Sequence, residues 1–227
     1  MDYPKVVGEF ETLHQVLEGK SIARYGDGEF NLVRGGNCVS QRKAPGIQTE
    51  LQNILKSNNH DLLVAIPRLD PRSPKNSNWT KCTAQYGAYL SPKKVYYSAF
   101  ITRPDSAPWI ACDDYYAQIE SLWKGQDITM VYGSRRSLSE DFPAMASAKS
   151  IKVVGTDYAH TYHRIDSIQS EIEKVGNERV LLMCGPTATC LAARLAGKFH
   201  AIDLGHIGMW WMAHHNPKLL SQLLYMK

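Results

Sequence analysis

Arg24-Tyr25-Gly26-Asp27-Gly28-Glu29 puts two carboxylates two residues apart on a turn that its glycines let close tightly. Oxygen ligands on such a turn suit Mg²⁺ or Mn²⁺, which take one or two protein carboxylates and complete their shell with water and substrate phosphate. Asp27 and Glu29 are therefore the candidate metal ligands, and Arg24 beside them carries a guanidinium that can fork onto a phosphate. A purely structural reading stands next to this one. In it Asp27 caps a helix starting near Glu29, and Glu29 sits favourably against the helix dipole.

Further groups could serve the same chemistry. Gly185-Pro186-Thr187 opens an alanine-rich helix, where unsatisfied N–H groups, a hydroxyl and the positive dipole end suit a phosphate or carboxylate; a simple helix start is the alternative. Thr102-Arg103-Pro104 and Gly133-Ser134-Arg135-Arg136 place guanidinium groups just past strands, where they can neutralise a diphosphate or be merely solvated. Asp203-Leu204-Gly205-His206 brings a carboxylate and an imidazole to the end of the last strand, and His206 is a candidate proton carrier. Gly185 is not followed by the lysine of a Walker pattern, and no Gly-x-Gly pair continues into a dinucleotide fingerprint. Both a P-loop ATPase and a classical NAD enzyme are thereby disfavoured.

The elements that must position these groups alternate along the chain. Strands are predicted over 21–25, 62–66, 95–100, 127–132, 151–154, 180–184 and 199–204. Between them, helices are predicted at Phe10-Leu13-Val16-Leu17, after Glu29, at Ile47-Leu51-Ile54-Leu55, from Thr80 to Leu90, and from Trp109 to Trp123. Others follow at Ile165-Ile168-Ile172-Val175, after Gly185, and at Leu219-Leu220-Leu223-Leu224. Pro67 to Asn78 is rich in Pro, Ser, Asn and Arg and is expected to be a functional loop too polar to pack. The alternation predicts one α/β domain over residues 1–227, a Rossmann-like, mostly parallel sheet of about seven strands with helices on both faces. In such a sheet ligands bind outside the carboxyl ends of the strands, where Gly26, Gly133, Gly155, Gly185 and Gly205 all stand.

Composition narrows the class. The excess of 26 basic over 22 acidic residues is scattered without a charge block, so nucleic acid is not indicated; an anionic small molecule or an acidic membrane surface fits better. The five cysteines are odd in number and form no Cys-x-x-Cys pair, which argues against a zinc knuckle or a disulfide framework and for the reducing cytoplasm. No segment reaches the roughly 18 apolar residues of a membrane span, so work at a membrane would be done at its inner face. Exposed hydrophobes could serve a homodimer or a partner enzyme equally well.

The order Arg-Tyr-Gly-Asp-Gly-Glu, Ile-Thr-Arg-Pro, Gly-Pro-Thr-Ala and Ile-Asp-Leu-Gly-His resembles the GT-D glycosyltransferases, a bacterial family long known only as a domain of unknown function. The resemblance runs from Ser21 to about Trp211. It implies transfer of a hexose, glucose or galactose, from a UDP-sugar to a growing surface glycan or glycoprotein, with Mn²⁺ or Mg²⁺ at the family's Asp-x-Glu motif, here Asp27-Gly28-Glu29. Arg103, Arg135, Thr187, Asp203 and His206 match the family in place without a role it assigns; their own chemistry and position put Arg24, Gly26, Arg103, Gly133, Arg135, Gly185 and Thr187 on the side of a bound donor, and contact with a partner glycosyltransferase is a further expectation. Gly208-Met209-Trp210-Trp211 departs from the acidic continuation of many relatives.

Leaving-group chemistry supplies the mechanism. A departing nucleoside diphosphate gathers negative charge, which a divalent ion on Asp27 and Glu29, with Arg24 or Arg103, would stabilise. Asp203, His206 and Asp157 are the candidate bases for the acceptor hydroxyl, and Trp210, Trp211 and the loop to Trp79 could stack against its sugar, unless the Trp pair is buried. The rivals are a metal-dependent hydrolase of a nucleotide or sugar phosphate, and a nucleotide- or glycan-binding module without turnover.

Overall fold

The structure, a computed structural model, describes residues 3–133, 139–157 and 159–216. Its strands are β1 (Ser21–Arg24), β2 (Leu62–Ile66), β3 (Tyr97–Ser98), β4 (Asp127–Tyr132), β5 (Ser150–Gly155), β6 (Arg179–Met183) and β7 (His200–Asp203). They form one sheet in the order β3-β2-β1-β7-β6-β4-β5. Every pairing is parallel, so the sheet is wholly rather than mostly parallel. Among the described residues, no helix is long and apolar enough to cross a membrane.

Alternation along the strands divides the core in two, because successive side chains point to opposite faces. Leu62, Val64 and Ile66 of β2 join one cluster with Val180 and Leu182 of β6, while Leu63, Ala65, Leu181 and Met183 join the other. The first face is covered by α2 (Asp27–Val33), α3 (Ile47–Lys56), α6 (Ile165–Val175) and α7 (Pro186–Leu195). The second is covered by α1 (Glu9–Leu17), α5 (Asp113–Ser121) and α8 (Ile207–His215). The connection between β2 and β3 carries α4 (Asn76–Tyr86), which contributes Tyr86 to the first cluster and Trp79 to the second.

Several boundaries differ from the sequence expectation for local reasons. The third strand keeps only two residues: beyond Ser98 the chain tightens into a 3-10 turn, Ala99–Thr102, in which the Ser98 hydroxyl accepts from Phe100 N. α4 starts at Asn76, four residues before Thr80, and the segment ahead of it is not too polar to pack. Asp70 and Ser73 are buried there, Asp70 between Arg68 and Arg72, and Ser73 donating to the Ser106 carbonyl. The long helix expected from Trp109 is cut by extended backbone at Cys112, and α5 begins at the acidic pair Asp113-Asp114, which its dipole favours. Phe10, expected on the packed face of α1, is half exposed; Leu13 and Val16 carry the packing instead. The helix predicted around Leu219–Leu224 lies outside the described residues.

Candidate functional site

A cleft of about 550 Å³ opens at the carboxyl ends of β1 and β7. It is lined by the turn from Gly26 to Glu29, by Asn37 to Ser40, and by Arg103, Gly185, Gly205 and His206, with Trp79 and Phe100 as its aromatic wall. A smaller recess of about 350 Å³, bounded by Asn31, Arg34, Gly36 and Asn37, adjoins it.

The carboxylate turn is the start of α2. Phe30 anchors that helix: its ring stacks on Tyr86 at 4.1 Å between centroids and tilts against Tyr25 at 5.5 Å, contacts that add about 1 kcal/mol each to the burial. Glu29, the third residue of the helix, reaches back so that its Oε2 accepts Gly26 N–H at 2.8 Å. The structural and chemical readings of this turn therefore apply to different atoms. Glu29 caps with one oxygen, while Asp27, at the first helical position, is exposed on the cleft. Burial pushes the Glu29 carboxyl up to about 7, against the pull of the Gly26 N–H, and the Asp203 and Asp27 charges add to the rise.

Arg24 does not stand open to a ligand. Its Nε donates to the Asp203 carbonyl at 2.6 Å, Nη2 to Asp203 Oδ1 at 3.1 Å and Nη1 to the Ala99 carbonyl at 3.2 Å. The Asp203 carboxylate also accepts from Gly205 N at 3.1 Å and from Thr189 Oγ1 at 3.4 Å. Burial holds the Asp203 carboxyl above the usual carboxylate range although Arg24 pulls it down. Gly205 is required here: its φ is +51°, and a Cβ on it would fall 1.9 Å from Arg24 Nη2. The floor of the cleft is thus an ion pair stitching β1 to β7.

Arg103 lines the cleft with its guanidinium forked onto Asp105, at 2.8 Å for both bonds, and Lys75 shares that carboxylate. Burial works against its charge, but Asp105 and then Asp27 and Glu29 hold its pKa above the ordinary value, which places Arg103 in the field of the carboxylate turn. Gly185 lines the opposite side at the start of α7 with φ +62°. Thr187 is fully buried behind it and is not on the cleft wall; its Oγ1 has no partner among the described residues. His206 is exposed on the cleft at the start of α8.

Other expected residues lie elsewhere. Gly133 and Gly155 end the two strands farthest from β1 on that side, and neither lines the cleft; a Cβ on Gly133 would meet the Asp157 carbonyl at 2.2 Å. Asp157 is exposed beside His163 and Arg164. Trp210 and Trp211 are half-buried against the second core cluster, with Trp211 edge-on to Phe142 at 5.3 Å, so Trp79 is the tryptophan of the cleft. Arg135 lies outside the described residues. Among those residues, no group of three His, Cys, Asp or Glu side chains could hold a metal. The set that does occur, Asp27 and the second oxygen of Glu29, fits a hard divalent ion that takes its other ligands from water and a bound phosphate.

Sequence reading did not single out the segment Asn37 to Ser40, nor Glu9. Glu9 is buried and accepts from Arg68 at 2.8 Å, Ser98 Oγ at 2.9 Å and Trp109 Nε1 at 3.1 Å. A buried Glu on a polar helix start gives no sequence signal; its partners lie 59 to 100 residues away.

Comparison with known proteins bears on this geometry. The family described as the glycosyltransferase GT-D fold matches residues 22–219. The chain is 29% identical to the probable glycosyl transferase Gly of Streptococcus gordonii, over 92% of this chain and 33% of that protein. It is 26% identical to the glycosyltransferase GlyD of Streptococcus pneumoniae serotype 4, over 91% of this chain and 27% of that protein. The chain thus spans a third or less of these curated relatives. Among solved structures it superposes on domain of unknown function 1792, described as having a distinct glycosyltransferase fold, with a TM-score of 0.84 at 28% identity, covering 93% of this chain and 82% of that one. A glycosyltransferase of the same domain type from Streptococcus sanguinis gives 0.82 at 26% identity, covering 94% and 85%.

Proposed function

The chain belongs to the GT-D glycosyltransferase fold family, and on that premise we propose that it transfers a hexose, glucose or galactose, from a UDP-sugar to a glycan or glycoprotein acceptor. The observation that carries the proposal is the convergence, in one cleft, of the Asp27-Gly28-Glu29 turn, the Arg103 guanidinium and the start of α7 at Gly185. Carboxylates facing a cation and a helix N-terminus make poor company for a neutral ligand and good company for a metal-bound diphosphate. The choice of uridine and hexose comes from the family resemblance, not from a base or sugar contact.

In this reading Asp27 and the remaining oxygen of Glu29 hold Mg²⁺ or Mn²⁺. When bound, that ion supplies charge neutralisation for the departing diphosphate. Arg103, fixed in direction by Asp105, faces the same charge, and the positive dipole end of α7 at Gly185 faces a phosphate oxygen from the other side. His206 is the favoured proton acceptor for the acceptor hydroxyl, because it lies exposed on the cleft whereas Asp203 is buried beneath it in the ion pair with Arg24. Trp79 offers the apolar wall on which a sugar ring can rest. Work beside an acidic membrane surface, or on a partner glycosyltransferase, is consistent with the mild positive charge.

Calorimetric titration with UDP and with GDP, with and without Mn²⁺, on the wild type and on Asp27→Asn tests the proposal. Metal-dependent binding of UDP that drops at least about tenfold in the variant, the loss of one charged ligand, is the expected result. Absence of binding by either nucleotide under every condition overturns it.

A further inference from the structure

The loop of residues 37–43, whose first four residues line the cleft, touches both turns that the donor reading above depends on. Cys38 packs on the carboxylate turn: a Cβ on Gly28 would sit 3.3 Å from Cys38 Cβ. Ser40 packs on the opposite turn: a Cβ on Gly185 would lie 2.9 Å from Ser40 Oγ. One short loop therefore fills the gap between the two, and its position sets their spacing.

That loop is held from outside the site. His160 N–H donates to the Ser40 carbonyl at 2.9 Å, and Arg42 N–H donates to His160 Nδ1 at 2.9 Å. Tyr162 N–H donates to Gln41 Oε1 at 3.1 Å, and Gln41 is buried. The His160 carbonyl is itself fixed by His163 Nδ1 at 2.6 Å. Nδ1 can accept from Arg42 only when the ring proton is on Nε2. His160 also has a φ of +63°, the only non-glycine residue in the left-handed region among those described. Such backbone is uncommon outside glycine, although histidine adopts it more readily than most, and it persists where the surroundings impose it. Here the conformation points one residue's amide and ring nitrogen at the same loop.

We propose that His160 is a positioning residue for donor binding: through Ser40 and Arg42 it holds residues 37–43 between the carboxylate turn and the start of α7, and so fixes the distance over which a metal-bound diphosphate must reach. The inference rests on the donor reading. It gives the connection between β5 and α6 a role in a site that it does not line.

His160→Gly keeps the left-handed backbone and removes the acceptor, whereas His160→Asn keeps both, since asparagine tolerates that region and carries a side-chain oxygen. Two readouts are needed: hydrogen exchange at the Arg42 amide, and the affinity for UDP with Mn²⁺. In His160→Gly the Arg42 amide is expected to exchange faster and UDP affinity to fall about fivefold, the scale of one ordinary intramolecular hydrogen bond. In His160→Asn both should stay within about twofold of wild type, less than the weakest bond would cost. Unchanged UDP affinity in His160→Gly, or an equal loss in both variants, overturns the proposal while the wild type still binds. A wild type that binds no nucleotide overturns the donor reading and this inference with it.

Discussion

Replacing Arg24 by Met separates the two roles that a cleft arginine can have. If Arg24 is the strut described here, its loss leaves the Asp203 carboxylate, only 5% exposed, without its counter-charge. Breaking a buried pair by removing one partner costs about 3–5 kcal/mol. Against a total stability of about 5–15 kcal/mol, and with about 2–4 °C of melting temperature per kcal/mol at this chain length, Arg24→Met should melt roughly 6–20 °C below wild type. The double variant Arg24→Met/Asp203→Leu removes both charges and should recover most of that loss, as apolar replacement of a buried pair commonly does. Gly205→Ala attacks the same pair from the other side. Its Cβ would lie 1.9 Å from Arg24 Nη2, so the guanidinium must leave Asp203 or the backbone must shift, and a loss of comparable size is expected. Thermal unfolding followed by circular dichroism, with UDP affinity measured on each variant, is the assay. An Arg24→Met protein within about 1 kcal/mol of wild type that has lost nucleotide binding would refute the argument and make Arg24 a ligand.

Two further outcomes concern stability. His200 is 5% exposed, and burial, then the charge of Arg179, lowers its pKa from 6.5 to about 4. The folded chain keeps it neutral where the unfolded chain takes up a proton, so its full contribution is present above about pH 6.5 and drains away as pH falls towards 4, by about 3 kcal/mol in all. His200→Phe should flatten that part of the urea-midpoint-against-pH curve, and an unaltered slope counts against the assignment. Glu9→Ala leaves Arg68, Ser98 and Trp109 without their shared acceptor. Because Arg68 keeps 29% exposure, the cost should fall at the low end for a broken buried pair, about 3 kcal/mol by denaturant midpoint; a loss under about 1 would show the network to be dispensable.

Much of the sheet was legible because its strands are short apolar runs closed by turn residues. Leu62–Ile66 and Asp127–Tyr132 fall where the pattern put them, and all four apolar positions of α3 are buried. The carboxylate turn was legible for the same local reason. What local pattern does not carry is which distant residue meets which. Arg24 and Asp203 were both singled out, one for phosphate and one as a base, yet 179 residues separate them and only the pairing of Ile22 with Ile202 brings them together. The Asn37–Ser40 wall was invisible because it owes its place to Gln41 and His160, 119 positions apart by number and joined only through the folded β5–α6 connection. Sequence spacing identified the groups near the cleft; strand adjacency decided which of them were already spent on each other.

That adjacency also explains why the cleft is where it is. β1 and β7 are neighbours, but the helices that follow them go to opposite faces: α2 packs with the first core cluster through Phe30 and Val33, and α8 with the second through Ile207. Two neighbouring strands whose chains part in this way leave a crevice between them, the place where open α/β sheets bind ligands. The crevice must be closed from below, or the parting of the chains would leave strand ends and water in the core. Arg24 and Asp203, at the last positions of the two strands, do that. Groups that seal the floor are not available to the ligand, so the chemistry has to come from residues one step beyond the strand ends. Asp27 and Glu29 after β1, Arg103 after β3, Gly185 after β6 and His206 after β7 stand at that level and line the cleft together with the Asn37–Ser40 wall.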